Sequence, residues 1–86
     1  MHLRQLTLLT RAYCHLCDDM RAALEPLAAE ARTTIVELDV DADPKLEARF
    51  GDRVPVLLDG DADGPELCHF RLDHERVRDA LAITPK

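Results

Sequence analysis

The sequence predicts an α/β domain: a four-stranded mixed sheet flanked by helices, in the order β-α-β-α-β-β-α. Three observations carry that prediction. An apolar run, Leu6 to Thr10, meets a long helical pattern at Cys14-His15-Leu16-Cys17. A β-branched run follows that helix, so the first two strands enclose a crossover and must lie parallel. Two later apolar runs bracket a loop rich in Gly and Asp, as an antiparallel hairpin does.

Leu3 to Thr10 reads as the first strand, and the consecutive pair Leu8-Leu9 puts apolar side chains on both faces, which suits a central strand covered on two sides. From Leu16 the apolar positions Leu16, Met20, Ala23, Leu24, Leu27 and Ala31 recur on one helical face. Pro26 interrupts that pattern. It removes a donor to the carbonyl of Ala22 and predicts a kink or break near Ala22 to Glu25. Thr33 to Asp39 is β-branched and partly alternating, hence the second strand.

Asp43-Pro44 reads as a helix start, with Asp43 as N-cap and Pro44 at the first helical position, where no N–H is needed. That helix runs through Leu46 and Phe50 to Gly51, which suits a left-handed stop. Val54 to Leu58 is the third strand, with its proline at the entry. Asp59 to Pro65 is a hairpin loop, and Glu66 to Leu72 is the fourth strand, with Cys68, Phe70 and Leu72 sharing the core-facing parity. Asp73 is an N-cap candidate for a last helix carried by Val77, Ala80 and Leu81, which Thr84-Pro85 ends.

With 86 residues, the expected organisation is one domain over 1–86 with a modest core. Apolar residues at 47% and charged residues at 33% fit a globular chain and argue against disorder. The formal charge of -6 leaves no basic stripe for nucleic acid or an anionic membrane, so neither is an expected partner. Arg4, Gln5 and Thr7 break the apolar run at the N-terminus, which therefore lacks a signal peptide's core, and a cytoplasmic location is expected. Three cysteines, two of them three apart, do not make a secreted disulfide framework; at a strand-to-helix junction the pair reads as a redox motif.

A CxxC heading the first helix, a Val-Pro heading the third strand and the βαβαββα order together resemble the thioredoxin fold. Within it the chain resembles the small glutaredoxin-like proteins, since it has no tryptophan and no acid between Met1 and Cys14. The resemblance implies thiol–disulfide oxidoreductase activity on protein or low-molecular-weight disulfides, with Cys14 as nucleophile and Cys17 as resolving thiol. It further implies Pro55 as a cis-proline beside the sulfurs and Val54 as backbone that pairs with a bound peptide or glutathione. Arg11 stands where glutaredoxins often have a basic residue. The chain departs from the family in its CHLC motif, in Arg53 before Val-Pro and in having no Gly-Gly-x-Asp after the hairpin. No bound cofactor is expected; glutathione enters as a co-substrate, and the electron donor is glutathione or a reductase.

The residues themselves add detail. Helix-end amides and the helix dipole supply roughly 0.3–2 kcal/mol toward a Cys14 thiolate, up to about 1.5 pK units. Arg11 and a protonated His15 add to this, while Asp18 and Asp19 in the first turn oppose it, so a moderately acidic Cys14 is expected. Tyr13 and His15 are candidates to line the substrate groove, against packing or plain exposure. Arg11 and Arg53 are candidates to hold a substrate carboxylate, against solvated surface arginines. The second reading is a non-catalytic thioredoxin-fold binding module whose CxxC holds zinc or an iron–sulfur cluster, or is structural. Cys14, Cys17, Cys68 and His69 are the ligand types of a Cys₃His site, yet neighbours on a strand point to opposite faces. Asp59 to Gly64 imitates the start of a calcium loop, but Phe70 stands at the position that needs a bidentate glutamate.

Overall fold

The computed structural model describes residues 4–83. Its elements are β1 (Gln5–Thr10), α1 (His15–Glu30), β2 (Thr34–Asp39), a 3₁₀ turn (Val40–Ala42), α2 (Pro44–Phe50), β3 (Val56–Asp59), β4 (Glu66–His69) and α3 (His74–Ala80). The four strands form one sheet in the order β2-β1-β3-β4. β1 pairs parallel with β2 and antiparallel with β3, and β3 pairs antiparallel with β4. This is the expected mixed sheet, with β1 inside it. Two sequence expectations, Leu3 as the strand's first residue and Thr84-Pro85 as the last helix's stop, lie outside the described residues.

β1 is covered on both faces because its alternation serves two cores. Leu6 and Leu8 pack with Met20, Leu24 and Leu27 of α1, with Leu57 and with Val77 and Leu81 at α3. Leu9 points the other way, with Val56 and Leu58, toward Val40 and Phe50. At about 1.5–3 kcal/mol for each large side chain removed from water, these two layers fix which face of β1 each helix covers. Thr7 is also buried and donates to the Gly60 carbonyl at 2.7 Å, so its hydroxyl is satisfied.

α1 does not break at Pro26; it is one helix from His15 to Glu30. Pro26 and Ala22 are both exposed, so the carbonyl that loses its donor faces water, while Leu24, Leu27 and Ala28 hold the flanking turns on the core. α1 stops without a glycine. Arg32 adopts a left-handed φ of 52°, and Thr33 N–H donates to Ala28 O at 2.8 Å, the reversed bonding of a Schellman end. Ala82 ends α3 in the same way, with Ile83 N–H on Arg78 O at 2.9 Å.

Gly51 differs from expectation in the opposite sense. It ends α2 with φ -57°, an ordinary right-handed conformation. A Cβ there would stand 2.6 Å from the Glu47 carbonyl oxygen, so close approach, not backbone handedness, calls for glycine. The expected Asp43 cap is present and accepts from Lys45 N–H at 2.9 Å.

β3 begins at Val56, two residues later than the apolar run, and the Val54–Pro55 peptide before it is cis. β4 ends at His69, three residues early. Leu57 faces Cys68 while Leu58 faces Glu66, which leaves Leu67 as an extra residue in β4. This bulge breaks the two-residue alternation, so Leu67 is buried in the core and its neighbour Cys68 packs against the same cluster. Phe70, with φ 64°, then turns out of the strand and is 44% exposed rather than core-facing. Leu72 keeps its expected place against the core.

Candidate functional site

The site is built where β1 runs out. Arg11 to Tyr13 make a short turn, Tyr13 at φ 57°, and Cys14 becomes the N-cap of α1. A cap normally offers an oxygen to an orphan N–H; here the Cys14 sulfur takes that place and accepts from Cys17 N–H at 3.2 Å. Cys14 and Cys17 are joined as a disulfide, with Cα atoms 5.2 Å apart, inside the span a disulfide requires. The two sulfur-bearing residues are not equivalent. Cys17 has 0% exposure within the core side of α1, whereas Cys14 is half-buried at the helix end.

Around the pair, Tyr13 and His15 are exposed and Leu16 is 39% exposed. Neither Tyr13 nor Leu16 packs into the core, although the helical periodicity puts Leu16 on the apolar face. Leu16 occupies the first turn, at the margin of a face that Cys17, Met20, Leu24 and Leu27 centre. Pro55 is buried, and its carbonyl accepts from Phe70 N–H at 2.9 Å, which ties the end of β4 to the Val54–Pro55 turn. Val54 is half-buried beside it, before the paired part of β3.

The two candidate arginines are engaged inside the chain. Arg11 places Nη2 3.1 Å from Asp41 Oδ1 and 3.3 Å from Glu47 Oε1, and Nη1 3.2 Å from Gly51 O. Its pKa is raised, chiefly by the hydrogen bond to Asp41. Arg53 donates to Glu66 Oε1 at 3.2 Å and to the Arg49 carbonyl at 2.8 Å, and lies over the Phe50 ring. Sequence reasoning had no signal for the acidic partners, because Asp41 lies 30 residues from Arg11 and Glu66 lies 13 from Arg53.

Asp18, expected to oppose a Cys14 thiolate, is itself paired. Arg21 Nη1 donates to Asp18 Oδ1 at 2.9 Å, and the same guanidinium grips Glu37 of β2, with Nη2 to Oε2 at 2.7 Å. The hydrogen bond from Arg21 holds the Glu37 carboxyl below its ordinary pKa, and the reciprocal bond raises Arg21. Thr10, the last residue of β1, donates to the same carboxylate at 3.2 Å. Part of the first-turn negative charge is thus countered before it reaches the sulfur.

Cys68 is a free thiol, half-buried, and burial pushes its pKa up, which keeps it protonated. His69 turns outward and pairs with Glu66, Nδ1 to Oε2 at 2.8 Å. Among the described residues, no group of three or more His, Cys, Asp or Glu side chains gathers as a metal site would.

A four-stranded mixed sheet with a CxxC capping its first helix and a cis-proline just before its third strand defines a thioredoxin-fold protein. The chain belongs to the family described as Glutaredoxin-like domain (DUF836), whose model matches residues 5–82. An uncharacterized protein of Mycobacterium tuberculosis is 37% identical over 83 residues, covering 91% of this chain and 82% of that protein. The solution structure of a Nitrosomonas europaea protein is similar at a TM-score of 0.79 with 32% identity, covering 92% of each chain. The X-ray structure of a protein from X. campestris is 40% identical at a TM-score of 0.67, covering 93% of this chain and 99% of that one. Thioredoxin 1 from Thermosipho africanus shares the fold at a TM-score of 0.64 with 18% identity, covering 91% of this chain and 90% of that one.

Proposed function

We propose that the chain is a dithiol oxidoreductase whose reduced Cys14 and Cys17 pass two electrons to disulfides of its substrates and close to the Cys14–Cys17 disulfide. The observation that carries this is the inequality of the two cysteines: one half-exposed and capping a helix, the other fully buried one turn further on. A helix N-terminus favours the thiolate, so Cys14 is the attacking sulfur. Its sulfur forms a bond to one substrate sulfur, and the substrate's own S–S bond breaks, releasing a thiolate that takes up a proton. Cys17, already aligned, then attacks Cys14 in the mixed disulfide. The Cys14–Cys17 bond closes, the second substrate sulfur leaves as a thiol, and two electrons have passed to the substrate.

An external thiol, glutathione or that of a reductase, returns the pair to its reduced form. On this reading Tyr13 and His15, next to Cys14 in the chain, and the Val54–Pro55 turn meet the substrate, while Arg11 and Arg53 hold the surrounding loops through their internal acids. The reading takes the reducing cytoplasm as the compartment. No helix among the described residues is long and apolar enough to cross a membrane.

Trapping tests the roles. Reduced Cys17→Ser, mixed with a disulfide-bridged peptide, is expected to accumulate a mixed disulfide at Cys14, seen as the mass of the adduct. Reduced Cys14→Ser is expected to form little adduct, because Cys17 is buried. Equal adducts on both variants, or none on either, would overturn the assignment.

A further inference from the structure

Among the described residues, three large apolar side chains are exposed: Tyr13, Leu16 and Phe70. Two of them, Tyr13 and Leu16, sit in the CxxC segment, and the third, Phe70, follows β4. Tyr13 and Leu16 bracket Cys14, and Phe70 is bonded through its N–H to the carbonyl of Pro55. Leu16 and Phe70 also form opposite lips of a groove of about 330 Å³ between α1 and the segment that joins β4 to α3. Met20, Ala23 and Leu72 also line it, and its charges include one acid, Asp19, and one guanidinium, Arg71. Exposed apolar surface gathered at one place on a small domain marks a contact site.

One wall of the groove, Leu16, stands between Cys14 and Cys17 in the CxxC, so an occupant that contacts Leu16 lies next to the cysteine pair in the chain. Glutathione has no apolar side chain to bury there and carries two carboxylates. The two candidate arginines outside the groove, Arg11 and Arg53, already hold Asp41, Glu47 and Glu66. The protein's charge of -6 adds no attraction for an anion. A polypeptide that carries a large aliphatic or aromatic residue beside its cysteine gains what glutathione cannot.

Resting on the oxidoreductase reading above, we propose that the substrate is such a polypeptide, its apolar side chain seated between Leu16 and Phe70 while its disulfide meets Cys14. The bond changes are those already given, with the polypeptide disulfide reduced to two thiols as Cys14–Cys17 closes.

The test uses the reduced full-length chain and two disulfide-bridged peptides that differ only in having Leu or Ser beside the cysteine, with glutathione disulfide as a third oxidant. Rates of closure are read from the mass of the alkylated protein after quenching. The Leu peptide is expected to react about tenfold faster or more than the Ser peptide, the range one apolar side chain commands, and faster than glutathione disulfide. Phe70→Ser and Leu16→Ser, both at exposed positions, are expected to bring the Leu-to-Ser ratio toward one. Equal rates for the two peptides, a ratio unmoved by both substitutions, or preference for glutathione disulfide would overturn the groove's role while leaving the redox reading standing. A pair that no disulfide closes would overturn both.

Discussion

The two flanks of the Cys14–Cys17 pair are built on opposite terms. On the Arg11 side the polar groups answer one another: Arg11 holds Asp41, Glu47 and the Gly51 carbonyl, and Arg53 holds Glu66. On the Phe70 side, Leu16 and Phe70 stand half in solvent over an open groove. One flank has spent its polar contacts on fixing loops to the sheet; the other keeps apolar surface uncovered. The contrast separates substitutions that lower stability from those that alter the choice of substrate.

The largest effect lies at the pair itself, between the flanks. Cys14→Ser is expected to abolish turnover of a disulfide peptide while leaving the thermal midpoint nearly that of the reduced parent, because serine also caps a helix. Retained turnover would remove Cys14 from the chemistry.

Next in size is Gly51→Ala on the Arg11 flank. The new methyl group would press on the Glu47 carbonyl at 2.6 Å and disturb the carboxylate that Arg11 binds, at a cost of about 1–3 kcal/mol in urea unfolding. Phe70→Ser on the opposite flank is expected to cost below about 1 kcal/mol in the same assay. Reversal of that order would break the division between a structural and a recognition side.

Arg11→Ala comes below these. The pairs of Arg11 are open to solvent, so the expected loss in the urea midpoint is the least of these substitutions and shrinks as salt is added.

The smallest effect is a pH dependence at Glu37. Arg21 lowers the pKa of this carboxyl in the folded chain, so as pH falls the unfolded chain takes up the proton first. The stabilisation from the pair is therefore complete above the ordinary value of 4.5 and is lost as pH falls below it. Urea midpoints taken across that range should fall less steeply for Arg21→Ala than for the parent. Parallel curves would show that the Arg21–Glu37 contact carries no linkage.

Much of this arrangement was legible in the residues. Leu8-Leu9 announced a strand covered twice, and Asp43-Pro44 announced its helix, because caps and alternation are local physics. The CxxC and Val-Pro pointed to their junctions for the same reason. The bulge at Leu67 was not legible: nothing in Glu66 to Leu72 shows which strand carries an extra residue, and the pairing with Leu57 and Leu58 decides it. Phe70 was not legible either: its φ of 64° turns the chain out of the strand just past His69 and carries the ring from the expected core to the groove, while Cys68 and Leu72 keep the core contacts that their parity predicts. Leu16 was misplaced for a related reason, since helical periodicity does not report where the covering sheet ends. The acidic partners of Arg11 and Arg53 depend on tertiary placement, and Pro26 is tolerated because it and Ala22 lie on the exposed side of α1.

The measurement that bears most directly on the dithiol reading is the mass of the alkylated full-length protein after equilibration across glutathione redox buffers. The account predicts that Cys14 and Cys17 lose their alkylation sites together and reversibly, at a potential within about -270 to -120 mV, while Cys68 stays reduced. Cys14 and Cys17 open to alkylation at every potential, or stable single glutathione adducts without closure, would contradict a resolving role for Cys17.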